Sequence, residues 1–148
     1  MSMKFSQGLF EPKHPEKYAG KGSIRYRSSW ELKFMNFLDE NPSIKHWASE
    51  SISIPYINPI ANKTKSYIPD FFIIYEDAQG TKKAEIVEIK PQKETTLENA
   101  GRSQKAQIQA IVNQAKWKAA VDFCNRQGIA FRVITEHDMF AGTKKKKR

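Results

Sequence analysis

The sequence has a single cysteine, Cys124, among 148 residues. One thiol excludes an internal disulfide framework and suits a reducing compartment. Histidine is scarce as well: His14, His46 and His137 lack the spacing of a metal cluster and are read as surface or packing residues. No run of about 18 apolar residues exists to cross a bilayer, and no apolar h-region follows the N-terminus. Neither a membrane span nor a secretion signal is expected, and the chain is expected in the cytosol where it is made. There is no internal repeat. Acidic residues are in deficit, 16 against 25 lysines and arginines, for a net charge of +9. Five of the positive charges form the terminal run Lys144, Lys145, Lys146, Lys147 and Arg148, and the rest of the chain is still basic. A basic body with a basic tail points to a polyanionic partner, most commonly nucleic acid.

What is present suffices for a core. With 39% hydrophobic and 11% aromatic residues, the disordered class is excluded for most of the chain. The length suits one domain, expected over residues 1–143, with a basic disordered tail at 144–148. Residues 1–23 scatter glycine, proline and lysine without a period and are read as an irregular arm packing through Phe5, Phe10 and Tyr18. A helix is predicted over 29–40. Ser28 and Glu31 form a capping-box pattern ahead of it, and Trp30, Phe34, Phe37 and Leu38 form its core face. Asn41-Pro42 stops it.

Strands are predicted at 44–48, 51–56, 66–75 and 84–90. Pro55 and Pro59 mark an edge or an exit, and a turn near 77–80 joins the last two strands. A polar stretch at 91–102 precedes a long helix over 103–126. Its stripe is read as Ile108, Ile111, Val112, Ala115, Ala119 and Phe123, with Gly128 as the stop. A buried strand at 129–135 and one more turn at 136–140 close the chain. The order α-β-β-β-β-α-β predicts an α/β fold: a mixed sheet flanked by helices. Trp30, Trp47, Trp117 and Cys124 are read as core residues.

The chemistry lies in two short segments. Side chains alternate faces along a strand, so Glu88 and Lys90 point the same way. If 66–75 and 84–90 pair across their turn, Asp70 comes beside Glu88. Two carboxylates and an ammonium would then share one face at the ends of very apolar strands, where charged groups mark a site or a satisfied pair. Carboxylates are the ligands of hard cations such as magnesium, and a lysine beside the metal can orient or deprotonate its water. Glu-x-Lys on a solvated strand, or Asp after Pro in a turn, is ordinary by itself. The apolar setting and the combination favour a site.

These residues resemble a known superfamily. Tyr67-Ile68-Pro69-Asp70-Phe71 followed by Val87-Glu88-Ile89-Lys90 is similar to the PD-(D/E)XK nuclease motif. The segments from Tyr26 to Glu31 and from Phe131 to Glu136 resemble its TnsA-like transposon endonuclease branch. Gln7-Gly8, Pro15-Glu16-Lys17-Tyr18, Trp47-Ala48-Ser49-Glu50 and Ile54-Pro55-Tyr56 extend the resemblance to the head-completion nucleases of T-even bacteriophages, over nearly the whole chain except the tail. The resemblance implies a restriction-endonuclease-like core and a magnesium ion, replaceable by manganese, held by Asp70, Glu88 and the backbone carbonyl of Ile89. It implies that Lys90 assists the attacking water. It also implies that Glu31 reaches a metal or its water, beside the capping role read from its position.

Arg25, Arg27 and Lys105 join the five tail residues as candidate DNA contacts. Gln104, Gln107 and Gln114, on the same helix as Lys105, are read as a solvated face. The expected function is a metal-dependent DNA endonuclease that finishes the packaged DNA end in phage head completion. Its implied partner is the capsid portal or head–tail connector region, with action in the host cytoplasm and retention in the virion head left open. A non-cutting structural head-completion protein and a generic repair or resolvase-like nuclease remain alternatives.

Overall fold

The computed structural model describes residues 7–139. Helix α1 spans Ser29–Glu40. The Ser28 hydroxyl accepts the Glu31 N–H at 3.1 Å. The return bond of the capping pair is shifted, because Glu31 Oε1 accepts the Arg27 N–H at 2.9 Å rather than that of Ser28. Trp30, Phe34 and Leu38 are buried as expected, along with Met35, but Phe37 is 50% exposed. It lies at the border of the apolar stripe and stacks on Phe34, with ring centroids 5.9 Å apart.

The central sheet has four strands in spatial order β3 (Ile44–Ser49), β6 (Phe71–Glu76), β7 (Lys82–Ile89) and β8 (Ala130–Ile134). Its first two pairings are antiparallel, whereas β7 and β8 run parallel. A parallel neighbour requires a crossover, supplied by helix α3 (Gln104–Gln127). Alternation along β7 sends Val87 and Ile89 to the face that packs on α1, and Ile86 to the face packing on Trp117, Ala120 and Cys124 of α3. This is the mixed-sheet α/β arrangement of a restriction-endonuclease-like core.

Several expected elements are revised. The strand expected at 66–75 is two strands. β5 (Lys63–Tyr67) pairs with β4 (Ile54–Asn58) in a separate ribbon, and β6 begins only after Ile68-Pro69-Asp70. Pro69 has no N–H for a ladder, which suits it to the break. Strand β8 is not buried throughout: only Ile134 is, because the strand lies at the sheet edge. The buried stripe of α3 is Ala106, Ala110, Asn113, Trp117, Ala120 and Cys124, rotated from the one expected. Small residues let the helix approach the sheet closely, while Val112, Ala115, Ala119 and Phe123 pack at its flanks. Ile108 is exposed.

The polar stretch at 91–102 holds a 3-10 turn, Gln92–Glu94, and a short helix α2 (Leu97–Ala100). Gly128 ends α3 in the left-handed conformation at φ 72°, as the sequence predicts. Residues 136–139 form the expected final turn.

The N-terminal segment is not wholly irregular. β1 (Gly8–Phe10) pairs antiparallel with β2 (Ile24–Tyr26), and Phe10 is buried. Phe5 lies outside the described residues. Farther on, Tyr18 packs edge-on against Trp47 with centroids 4.7 Å apart, and its hydroxyl accepts the Ser49 N–H at 3.2 Å. With Ala19 N–H donating to the Trp47 carbonyl at 2.8 Å, the arm covers an edge strand that would otherwise present open backbone groups.

Asp39, near the end of α1, anchors this arm. It is 1% exposed, and its two oxygens accept the N–H groups of Lys13 and His14 at 2.8 and 2.9 Å. A carboxylate near a helix C-terminus opposes the helix dipole. The Lys17 ammonium offsets it by donating to the carbonyls of Asp39 and Asn41 at 2.9 and 2.8 Å. Asp39→Ala should strip two partly buried donors of their acceptor and cost about 2–4 kcal/mol, whereas Asp39→Asn keeps one acceptor and should cost less. Chemical denaturation checks both, and equal stability of Asp39→Ala and the parent would show that the arm is held elsewhere.

Candidate active site

The register of β6 and β7 sets Phe71 opposite Val87. Asp70, the residue just before β6, therefore comes to Glu88, as the sequence predicts. The contacts are mutual. Glu88 Oε1 accepts the Asp70 N–H at 3.2 Å, and Asp70 Oδ2 accepts the Ile89 N–H at 2.8 Å. The Asp70 carbonyl in turn accepts the Glu50 N–H at 3.0 Å. The Lys90 ammonium lies 3.7 Å from Glu88 Oε2, so Glu88 and Lys90 do share a face. The Ile89 peptide lies against the Asp70 carboxylate through its N–H.

Glu88 is 4% exposed, and burial raises the pKa of its carboxyl group, with Lys90 as the largest opposing influence. Burial and then the Glu88 charge push Asp70 well above the ordinary carboxylate range. Glu31 is also raised, by burial first, with Glu50 and Glu88 adding repulsion. Among the described residues, no three acidic, histidine or cysteine side chains converge as a metal-binding group. Glu31 nonetheless lies within electrostatic reach of the pair, since its charge adds to the upward shift of Asp70 and the Glu88 charge adds to its own. Its Oε1 caps Arg27, while Oε2 accepts no hydrogen bond from a described residue. Capping and a role at the site are therefore compatible.

A hard divalent cation fits this pair. The donors are all oxygens. Asp70 Oδ1 accepts no hydrogen bond from a described residue, and both carboxyl groups are under a charge penalty that a cation between them would relieve.

Three residues without an assigned role in the sequence reading belong to the site. Tyr67 donates its hydroxyl to Glu88 Oε1 at 2.9 Å, and its pKa is raised by burial and by the Glu88 charge. Lys116 of α3 sits 5.6 Å from the centre of the Tyr67 ring and 5.9 Å from that of Tyr56. Burial lowers its pKa, as does Lys90. Glu50 adopts a positive φ of 50° and holds the Arg27 guanidinium through two bonds of 2.9 and 3.2 Å. The position of Lys116 was legible only with the correct buried stripe, since it adjoins Trp117 and lies three residues after Asn113.

The other candidates are dispersed. Arg25 is exposed on β2, opposite Leu9, and Arg27 is committed to Glu50. Lys105 is exposed in the first turn of α3. Gln107 and Gln114 are not merely solvated, because they donate to the carbonyls of Gly101 and Thr95 and tie the 91–102 segment to α3. Lys144, Lys145, Lys146, Lys147 and Arg148 lie outside the described residues.

The raised Asp70 pKa has a stability consequence. A carboxyl group whose folded pKa lies above its unfolded value destabilises the fold while ionised, and the penalty fades as falling pH protonates it. In metal-free protein, Asp70→Asn should raise the melting temperature at neutral pH by about 2 °C or more. The gain should shrink as pH falls through the raised pKa and vanish near pH ~4. Melting curves across this range check it, and a neutral-pH loss would mean that the charge is well compensated.

Comparison with known proteins bears on the family. Residues 41–136 match the family model of the TnsA-like endonuclease N-terminal domain, a segment that includes Asp70, Glu88 and Lys90 but not Glu31. The chain is 36% identical over 144 residues to the head completion nuclease of Enterobacteria phage T4, covering 90% of this chain and 93% of that protein. With Asp70 and Glu88 brought together at the ends of two apolar strands of a mixed sheet, and with the family match extending over most of that sheet, the chain belongs to the TnsA-like endonucleases, a PD-(D/E)XK-type family.

Proposed function

We propose that this chain is a magnesium-dependent DNA endonuclease that hydrolyses phosphodiester bonds in phage head completion, finishing the packaged DNA end before the tail joins. The observation that carries the reading is the contact of half-buried Asp70 with buried Glu88, with Lys90 3.7 Å from Glu88. Family membership supports the reaction class, and likeness to a protein named a head completion nuclease supports the setting. The whole domain, residues 1–143, serves as the nuclease. Its proposed docking partner is the capsid portal or head–tail connector region, and its proposed place of action is the host cytoplasm during assembly.

Asp70, Glu88 and the Ile89 carbonyl would hold the magnesium ion, and manganese would substitute for it. When bound, the ion supplies charge neutralisation at the scissile phosphate and acidifies a water. Lys90 orients the attacking water and stabilises the charge that grows on the phosphate as the water oxygen bonds to phosphorus and the opposite P–O bond breaks in line, the water losing a proton to solvent and the leaving oxygen taking one from it. Tyr67 fixes the rotamer of Glu88 by bonding Oε1, which leaves Oε2 facing Lys90. Glu31 turns its uncommitted oxygen to the water side of the site. Arg25, Lys105 and the tail from Lys144 to Arg148 contact phosphates without reading sequence. Arg27 joins them on release from Glu50.

Asp70→Asn and Lys90→Ala should each reduce plasmid nicking by at least about a thousandfold while leaving DNA affinity within a few-fold of the parent. Lys90 acts mainly on the transition state, and the amide at position 70 removes a charge that repels phosphate. Parental nicking rates in both folded variants would make the motif a structural accident and favour a non-cutting head-completion protein. Nicking should require magnesium or manganese, with calcium giving little turnover, and cutting in excess EDTA would overturn the two-carboxylate mechanism.

Glu31→Gln separates capping from chemistry. A pure cap predicts a loss of about 1 kcal/mol or less with near-parental activity. The proposed role predicts a stable protein whose nicking rate falls by orders of magnitude, measured with a thermal melt on the same sample.

A further inference from the structure

Beside the carboxylate site lies a second feature, of which the proposed function uses only Lys105. The β4–β5 ribbon and α3 enclose an open cleft of about 600 Å³. Its charged lining residues are Lys65 from the ribbon and Lys105 and Lys116 from α3, with no acidic side chain among them. Gln104 and Gln109 add amide groups able to donate to oxygen. Lys65 and Lys105 are exposed, and Lys65 is paired across the ribbon with Tyr56, whose ring lies under Lys116.

Lys116 joins the cleft to the site. It lines the cleft and also covers the ring of Tyr67, the residue whose hydroxyl binds Glu88. We propose that this cleft is the track for one strand of DNA, holding successive backbone phosphates through Lys65, Lys105 and Lys116 and delivering the strand to Asp70 and Glu88. The choice of DNA rests on the nuclease reading above. The cleft itself rests on its own lining.

The dimensions favour a single strand over a duplex. A cleft of this size suits a ligand of roughly drug-sized bulk, about that of two nucleotides and too small for the breadth of a double helix. Lys105 and Lys116 stand roughly 16 Å apart along the helix, so they meet phosphates a few nucleotides apart. The order of charge is also functional. Phosphate is repelled by the two carboxylates, and a line of cations ending at Lys116 and Lys90 holds it there against that repulsion.

The test measures binding in EDTA, where nothing is cut, with the full chain and a short labelled oligothymidylate. Losing two phosphate contacts should lower the salt slope by about 1.4 and weaken binding roughly twentyfold at about 0.1 M salt. The double variant Lys65→Ala/Lys105→Ala should show both effects, and should weaken binding to a blunt duplex by less than about threefold. Lys82→Ala/Lys83→Ala, which removes equal charge from the far end of β7, should stay within about twofold of the parent on either ligand. Parental binding of the strand by the cleft variant would overturn the proposal. So would an equal loss in the β7 variant or on the duplex, since either would assign the effect to general surface charge. Nicking by the parent in magnesium is scored separately. A parent that binds the strand through these lysines and never cuts would remove the nuclease reading and leave the track standing.

Discussion

Two carboxylates set side by side repel each other, and both the buried Glu88 and the half-buried Asp70 have lost water. A fold that keeps Asp70 against Glu88 must supply compensating contacts, and this one draws them from several elements. The β6–β7 register brings the residues opposite, the Tyr67 hydroxyl and the Asp70 N–H bond Glu88, and the Ile89 N–H bonds Asp70. Bonds to a charged group contribute about 1.5–3 kcal/mol each, enough to hold the geometry yet not to cancel the penalty, since both carboxyl groups remain shifted upward. The remaining imbalance is what makes the pair attractive to a cation.

The rest of the molecule supports that local strain. Hydrophobic packing on both faces of β7, through Val87 and Ile89 on one side and Ile86 on the other, makes the strand that carries Glu88 hard to displace. The arm closes the β3 edge through Tyr18 and Ala19 and is itself held by Asp39 and Lys17. Asp39 and Glu88 illustrate two uses of a buried acid. Asp39 spends both oxygens on backbone donors and is structural, whereas Glu88 leaves one oxygen facing an ammonium.

Much of this was legible in the chain. Ser28 and Glu31 did start a helix, because a cap depends on neighbours within one turn. Gly128 did stop one, and Pro69-Asp70 with Glu88-x-Lys90 did meet. The buried stripe of α3 differs from the one its large aliphatic residues suggest, because a close helix–sheet contact selects small residues. The strand at 66–75 was read as continuous because the apolar run of Phe71 to Ile74 masked the break that Pro69 imposes. Phe37 counted as core by spacing, yet it lies at the border of the face that α1 turns inward.

Sequence by itself determined the chemistry available and the local signals that place it: the acids, the lysine, the caps, the turns and the period-two alternation that sends Glu88 and Lys90 one way. These depend on bonds and sterics within a few residues. Only the tertiary structure decided that Tyr67 and Lys116 attend Glu88, that Arg27 is held by Glu50, and that Glu31 comes within electrostatic reach of Asp70 and Glu88. Those relations join residues twenty or more positions apart, through the rotation of α3 on the sheet and the separation of the β4–β5 ribbon. Packing settles such placements collectively, so no spacing in the chain encodes any one of them.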